Sequence, residues 1–210
     1  MPNIILRTNA TPVYGFLSFI HHRYAGEIPS QAKILDCGAG GPLPPLAIFA
    51  RQGFDCWGID ISNSQLDKAR EYCAQNGIEI NLQEGDMRKM PFNDTTFDFV
   101  FEHFAMCHMS KQDTAQAISE MHRVLKPGGL CFLGFISTDC FPQSSFGTEQ
   151  APGEFMGKED EEMTLHSMFS DQEAESLLTG WEMLSKQKSI SYKIEEESQY
   201  VHLYFILQKP

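Results

Sequence analysis

The stretch ILDCGAGGPLPP, residues 34–45, constrains the fold of this chain more than any other feature. An apolar run ends in Asp36, glycines stand at positions 38, 40 and 41, and prolines stand at 42, 44 and 45. This pattern is typical of a buried strand that turns sharply into a helix, because glycine allows tight turns and proline suits a first helical turn. Such a turn brings backbone N–H groups and the positive end of a helix to one point, where a ligand can approach the main chain.

Strands and helices alternate along the rest of the chain. Apolar runs predict five buried strands, in AKILDCG, DCWGID, IEINLQEGD, FDFVFEH and LCFLGFIS. Helical patterns lie between them, in PLAIFARQG, SNSQLDKAREYCAQNG and KQDTAQAISEMHRVLKPGG. A further helix, SDQEAESLLTG, opens with a capping box of Ser170 and Glu173, and alternation in KSISYKIEE and YVHLYFILQK predicts a closing antiparallel hairpin. The order predicts an α/β fold with a mostly parallel, doubly wound sheet in three layers.

We expect residues 1–210 to form one domain. Residues 1–30 are predicted to form an N-terminal helical cap, with the helix running from Val13 onward. Residues 138–169 show no convincing periodicity, and only a helical turn is expected there, within GKEDEEMTLHSMF. A segment of this length is uncommon as an idle loop in a compact domain, so we predict that it is a lid over the acceptor site.

Charge and composition exclude several classes of partner. The net charge is −12 and the chain has no cluster of Lys or Arg, which argues against nucleic acid. No apolar run approaches the length of a membrane span, and the first residues lack a signal-peptide pattern, so we expect a cytoplasmic protein. The six cysteines form no CxxC pair and have no metal-ligand spacing. We therefore predict buried, reduced thiols and no metal site.

Three acids end or follow three successive predicted strands. Asp36 ends the first strand, Asp60 ends the second, and Asp86 follows the third. The carboxyl ends of parallel strands lie at one edge of the sheet, where open α/β sheets bind ligands, and a carboxylate there can take both hydroxyls of a ribose. An edge with three acids suits a nucleoside that carries a cationic group, whereas Asp36 would repel a pyrophosphate.

Five motifs, in order and spacing, resemble the class I S-adenosylmethionine-dependent methyltransferases: ILDCGAGGPLPPLAIFA, WGIDIS, EGDMRKMPF, FDFVF and MHRVLKPGGL. Within that class they look most like the small-molecule branch, methyltransferase type 11, which includes ubiquinone/menaquinone-biosynthesis methyltransferases. The resemblance covers about residues 30–136. It implies a Rossmann-like sheet of seven strands with an antiparallel last strand. It also implies an enzyme that uses S-adenosylmethionine, releases S-adenosylhomocysteine and methylates a small organic acceptor by in-line attack on the sulfonium methyl.

The resemblance also implies roles for the glycine loop and the next strand end. Asp36, Gly38 and Gly40 would line the pocket for the methionine part of the cofactor. Asp60 would bind the ribose hydroxyls, and Ile61 would pack on the adenine. The chain departs from many family members in one respect, because Pro42 stands where they have a third glycine.

Matched positions after the third and fourth strands have implied roles as well. Asp86 would take the adenine amino group, with Met87 beside the ring. Glu102 and His103 would face either the methionine amino group or the acceptor. His103 and His108 are the candidates for a general base, which is needed only where the acceptor atom carries a proton. The alternative for each histidine is a hydrogen-bonded structural role.

The two ends of the chain leave further choices open. Tyr14 or Tyr24 would cover the cofactor if the N-terminal helix acts as a cap, whereas Phe16, Phe19 and Ile20 are expected to pack on the sheet. The lid carries an acidic run, KEDEE at residues 158–162, which favours a neutral or cationic small-molecule acceptor over an anionic one.

Three alternatives to small-molecule methylation are compatible with parts of the sequence. An NAD(P)-dependent oxidoreductase is disfavoured, because its loop would want glycine near position 43, where Leu43 stands, and no acid at Asp36. A non-enzymatic S-adenosylmethionine-binding protein of the same fold stays open, and so does a protein acceptor.

Overall fold

The five strands predicted in the first two thirds of the chain pair with one another in parallel. In the computed structural model, which describes residues 11–25, 28–29, 31–159 and 162–210, they lie side by side in the order β3-β2-β1-β4-β5. Their bounds are Lys33–Cys37 (β1), Asp55–Asp60 (β2), Asn81–Glu84 (β3), Phe97–Glu102 (β4) and Leu125–Ser137 (β5). The mostly parallel sheet of the predicted Rossmann-like fold is therefore confirmed.

The predicted closing hairpin completes this sheet. Its strands are Glu182–Lys193 (β9) and Ser198–Gln208 (β10), and β10 runs antiparallel to both β5 and β9. The seven strands β3-β2-β1-β4-β5-β10-β9 thus form the expected arrangement, with the last strand of the chain antiparallel.

The segment between β5 and the hairpin differs from its prediction. It contains three strands, Thr148–Ala151 (β6), Glu154–Glu159 (β7) and Glu162–Phe169 (β8), which bring the sheet to ten strands instead of seven. The expected helical turn in residues 157–169 is therefore wrong. The acidic run hides the alternation there, and β8 depends on pairing with β7 and β5, which no local pattern reveals.

The position of β8 follows from its pairing with the tip of β5. Ile136 of β5 is a partner of His202 in β10 and also of Met168 in β8. Because a strand has two edges, β8 must lie on the edge that faces β4, beyond the point at which β4 ends. The segment that follows β4, residues 103–110, therefore lies next to β8.

Helices cover both faces of the sheet, which gives the three expected layers. They span Thr11–Arg23 (α1), Leu46–Ala50 (α2), Asn63–Asn76 (α3), Lys111–Val124 (α4) and Asp171–Ser176 (α5). Apolar residues of α1 and α2 pack against one face, and those of α4 and α5 pack against the other. The capping box that Ser170 and Glu173 were predicted to form at the start of α5 is present.

The N-terminal helix begins two residues before its predicted start and packs on a face of the sheet. Phe16 is fully buried between Phe49 and Phe132, and Tyr24 lies edge-on against Phe99 in the same core. In the described part of residues 1–30, Tyr24 is thus a packing residue. The first ten residues of the predicted cap lie outside the described residues.

Two further observations concern the chain as a whole. All six cysteines are buried and none forms a disulfide, as predicted. Among the described residues, no helix combines the length and the apolar character needed to cross a bilayer.

Candidate functional site

A cavity of about 580 Å³ lies at the carboxyl ends of β1, β2, β3 and β4. Its walls come from the loops that follow these strands, from the first turn of α4 and from Leu165 of β8. The structure brings eight of the ten predicted site residues to this cavity: Gly38, Gly40, Asp60, Ile61, Asp86, Met87, His103 and His108. The other two, Asp36 and Glu102, are buried behind its wall.

The two glycines of the loop after β1 are required by close packing. Gly38 has φ of +99°, and a Cβ there would lie 2.3 Å from the Cβ of Ala105. At Gly40 a Cβ would lie 2.5 Å from the Cβ of Gln65 and 2.6 Å from Oδ2 of Asp60. Only glycine lets the loop pass between the ends of β2 and β4, so the two residues shape the floor of the cavity.

The amides of residues 38–41 in this loop are already bonded within the protein. The N–H groups of Gly38 and Ala39 donate to the carbonyl of Ile59, at 2.8 and 2.9 Å, and the N–H of Gly41 donates to the carbonyl of Gln65. The N–H of Gly40 donates to Oδ2 of Asp60. Prolines 42, 44 and 45 have no N–H to offer. The N–H groups of residues 38–41 are therefore not free to hold a pyrophosphate, as those of a dinucleotide loop are.

Asp36 disfavours the binding of an anion at the start of α2. The backbone N–H of Leu46, the first residue of α2, lies near its carboxylate and favours the ionised form. The side chain is 1% exposed, and its Oδ2 has no hydrogen-bond partner among the described residues. Burial and the nearby Glu102 and Asp60 hold the pKa of Asp36 well above its usual range. A cation near this carboxylate would favour its ionised form.

Asp60 organises the opposite wall at the end of β2. Its Oδ2 accepts from Gly40 and its Oδ1 accepts the N–H of Ser62, at 2.8 Å. Each carboxylate oxygen retains a second lone pair that a ribose hydroxyl could use. Ile61 follows and is 67% exposed, which leaves an apolar surface at the cavity mouth.

The end of β3 carries an ion pair. Both oxygens of Asp86 accept from the Arg88 guanidinium, the shortest contact being 2.7 Å, and Oδ1 also accepts the N–H of Arg88. These bonds lower the pKa of Asp86. Arg88 also pairs with Asp113 in the first turn of α4, at 3.2 Å. Met87 is buried beside this network.

Glu102 has a different setting from the one that the resemblance implies. It is fully buried at the end of β4, where Oε2 accepts the N–H groups of Ala105 and Met106 and Oε1 accepts the N–H of Gly134, each at 3.0 Å. Burial raises its pKa to about 7. The carboxylate thus fixes the backbone of the cavity wall and tethers it to β5.

The loop after β4 places both histidines on the cavity wall. The His103 ring lies 4.3 Å from the ring of Phe104, which has φ of +64°, an uncommon backbone conformation for a residue other than glycine. His108 ends a short 3-10 helix, Met106–His108, and its Nδ1 lies 3.2 Å from the carbonyl oxygen of Leu165.

Several lining residues were not predicted. Arg88 could have been suspected from its place two residues after Asp86, but its pairing with Asp113 joins two elements that are distant in sequence. Nothing local marks Gln65 or Phe104 as cavity residues. Leu165 was missed because its strand was missed.

Residues 35–133, which carry the glycine loop and the ends of the four parallel strands, match the family profile described as a methyltransferase domain. This part of the chain is a methyltransferase domain. The predicted resemblance to the class I S-adenosylmethionine-dependent methyltransferases is therefore confirmed. The matched residues end before residues 138–169, the segment predicted to be a lid.

Known proteins similar to this chain agree with the domain assignment. A 24-methylenesterol C-methyltransferase of Arabidopsis thaliana is 37% identical over 119 residues, which are 53% of this chain and 32% of the relative. A sterol 24-C-methyltransferase of Saccharomyces cerevisiae is 32% identical over 127 residues, 58% of this chain and 32% of the relative. The chain spans about a third of the length of these curated relatives.

A solved structure supports the fold of the methyltransferase domain. The crystal structure of an S-adenosylmethionine-dependent methyltransferase from Methanosarcina mazei superposes with a TM-score of 0.73 at 21% identity, over 90% of this chain and 96% of that one. The family implies S-adenosylmethionine as the cofactor. The residues fit this group, because a buried carboxylate oxygen without a partner stands behind a cavity rich in acids and poor in free amides.

Proposed function

We propose that the protein transfers a methyl group from S-adenosylmethionine to a small organic acceptor. The observation that carries this function is the glycine stretch with Asp36 behind it: the edge offers carboxylates, and the N–H groups of residues 38–41 are all bonded within the protein. This environment suits a nucleoside with a positive charge and disfavours the pyrophosphate of a nicotinamide cofactor. The oxidoreductase alternative is therefore set aside.

We place the cofactor along the cavity by the chemistry of its walls. Asp60 takes the ribose hydroxyls through its remaining lone pairs, and Ile61 and Met87 give the adenine apolar contact. Asp86 lies at the adenine edge, and Asp36 provides negative charge at the methionine end behind Gly38. When bound, S-adenosylmethionine supplies an already activated methyl group. The main work of the protein is then to orient the acceptor and exclude water.

The acceptor side lies between the loop after β4 and the lid. His103, Phe104, Met109 and Leu165 give this part of the cavity an aromatic and apolar lining. Arg88 is the one cationic Lys or Arg side chain among the described lining residues, and it is already paired with two acids. We therefore propose a neutral or cationic small molecule. The relatives are named as sterol methyltransferases, but the family match ends before the lid, so their acceptors are not carried over.

Two alternatives use the same cofactor site. A protein acceptor would have to present a side chain to the cavity, and a non-enzymatic binder would hold the cofactor without transfer. A cytoplasmic location is also proposed, because none of the six cysteines forms a disulfide and oxidising compartments favour disulfides.

The function is tested first by isothermal titration with S-adenosylhomocysteine, with NADH as a control ligand. We expect micromolar binding of the former and none of the latter. Asp60→Ala should weaken binding by about 1.5–3 kcal/mol, typical of a lost charge-assisted hydrogen bond. Asp67→Ala, which removes an exposed acid of α3, is the matched control. Binding of NADH alone would refute the proposal. Binding of S-adenosylhomocysteine justifies an acceptor screen with methyl-labelled S-adenosylmethionine, which also separates an enzyme from a binder.

A further inference from the structure

The two histidines on the cavity wall differ in what surrounds their ring nitrogens. Nδ1 of His108 lies 3.2 Å from the carbonyl oxygen of Leu165, and a carbonyl oxygen can only accept. The proton of the neutral ring must therefore lie on Nδ1, which leaves the lone pair on Nε2. A backbone acceptor that fixes the tautomer in this way is a common means of preparing an imidazole for proton transfer.

The lid holds the short segment that carries His108. The hydroxyl of Ser167 donates to the carbonyl of Met109, one residue after His108. The N–H of Lys111 donates to the carboxylate of Glu154, at 2.6 Å. Strands β7 and β8 thus contact residues 108–111 at three points, and the Leu165 carbonyl reaches His108 because β8 is seated against this segment.

His103 is less suited to pass a proton to water. Its Nε2 is shielded from solvent, and its ring packs against Phe104. The side chain of His108 is exposed while still lining the cavity. A general base must lose its proton to solvent before each new turnover, and of these two histidines His108 is the one with that access.

We propose that His108 is the general base of this site and that Leu165 of the lid is its positioning residue through its carbonyl. The proposal rests on the proposed function and adds to it the class of acceptor, a small molecule whose hydroxyl, amine or thiol is methylated. The acceptor heteroatom forms a bond to the methyl carbon while the bond from sulfur to that carbon breaks, leaving the neutral thioether. The acceptor's proton passes to Nε2 of His108 and then to water.

The tautomer can be measured without knowing the acceptor. Long-range proton–nitrogen NMR of the whole chain labelled with ¹⁵N-histidine, bound to S-adenosylhomocysteine, distinguishes a protonated Nδ1 from a protonated Nε2 in the neutral ring. His108→Gln identifies the signals by their loss. We expect the proton on Nδ1, and a proton on Nε2 would overturn the proposal.

A pair of serine variants tests whether the lid sets this tautomer. Ser167→Ala removes the hydrogen bond to Met109 and should turn His108 into a mixture of tautomers. Ser145→Ala removes an exposed serine hydrogen bond within the same segment, to Pro142, and should leave the spectrum unchanged. An unchanged spectrum in Ser167→Ala would refute the positioning role.

Turnover completes the test with the acceptor found in the screen. His108→Gln should lower kcat by about 10²–10⁴-fold with unchanged affinity for S-adenosylhomocysteine, which also shows that the variant is folded. His103→Gln should lower it much less. Full activity of His108→Gln on an acceptor with a hydroxyl, amine or thiol would refute the base assignment while the methyltransferase function stands. If the unmodified protein did not bind S-adenosylhomocysteine, the proposed function itself would be refuted.

Discussion

Asp36 and Glu102 occupy equivalent places at the ends of neighbouring strands, yet their surroundings are opposite. Both are buried, and Glu102 lies opposite Cys37, the residue after Asp36, in the register of β1 and β4. Three backbone amides satisfy Glu102, whereas Oδ2 of Asp36 has no partner among the described residues. Burial costs both carboxylates free energy, but Glu102, with three N–H donors, recovers more of that cost from the protein itself.

This difference separates a structural carboxylate from one kept for a ligand. Glu102 holds the loop that carries Phe104 and both histidines, so its main effect is on the stability and shape of the cavity wall. Under the proposed function, the unpaired Oδ2 of Asp36 is kept for the cation that comes with the cofactor. Two acids at the same edge would then serve two purposes, which variants can separate.

The largest expected effect is on stability, at Glu102. Glu102→Ala leaves one buried and two partly buried N–H groups without an acceptor, and a buried group left in this state costs about 1–3 kcal/mol. We expect the free energy of unfolding, measured in urea, to fall by about 3 kcal/mol or more. Glu79→Ala, at an exposed loop position, is the control and should change it by about 0.5 kcal/mol or less. Equal stability of the two variants would mean that Glu102 does not act as a clamp.

The pH dependence of stability gives a second test of Glu102. Its pKa is raised by burial from 4.5 to about 7, so between these values the folded chain keeps a proton that the unfolded chain has lost. This stabilisation is present in full below pH 4.5 and is lost as the pH rises through 7, with an upper limit of about 3 kcal/mol at 1.36 kcal/mol per pKa unit. Urea unfolding at pH 5 and pH 8 measures the change. Glu102→Gln cannot ionise and should flatten the profile, although the raised pKa of Asp36 keeps a slope of the same sign. A variant profile as steep as that of the unmodified protein would contradict the assignment.

Asp36 should show the reverse pattern. Asp36→Asn replaces a buried ionisable group by a neutral one and keeps the size of the side chain, so the free energy of unfolding should change by less than about 1 kcal/mol. Affinity for S-adenosylmethionine should fall by about tenfold or more, as expected for a lost interaction between charged groups. Calorimetry on the variant decides, with Asp67→Asn as a surface control. Unchanged affinity together with lost stability would make Asp36 a structural residue like Glu102.

The contrast also shows what the sequence could and could not predict. The strand order, the glycine loop and the acids at the strand ends follow from local patterns, because a parallel sheet brings successive strand ends to one edge. The hydrogen bonding of the Asp36 and Glu102 carboxylates depends instead on which backbone amides lie near them. Gly134, one of the partners of Glu102, is 32 residues away, and no local pattern predicts that contact.

The strands of residues 138–169 could not be predicted from the sequence for a related reason. Strand β8 exists through its pairing with β7 and with the tip of β5, and its amphipathic pattern is interrupted by the acidic run. The contact between Leu165 and His108 therefore could not be predicted from the sequence. Contacts between an insertion and the core are set by tertiary packing, which residue patterns do not specify.

The smallest expected effect lies at Asp86, the third acid of this edge, which is half-exposed and already paired. Arg88 fills both of its carboxylate oxygens, and pairs of this kind on a protein surface contribute little. Asp86→Asn should therefore leave the unfolding midpoint unchanged and alter affinity for S-adenosylmethionine by about fivefold or less. The same titration that tests Asp36→Asn measures this. A loss as large as that of Asp36→Asn would mean that Arg88 releases Asp86 when the cofactor binds, and that burial alone does not separate the ligand-binding acids from the others.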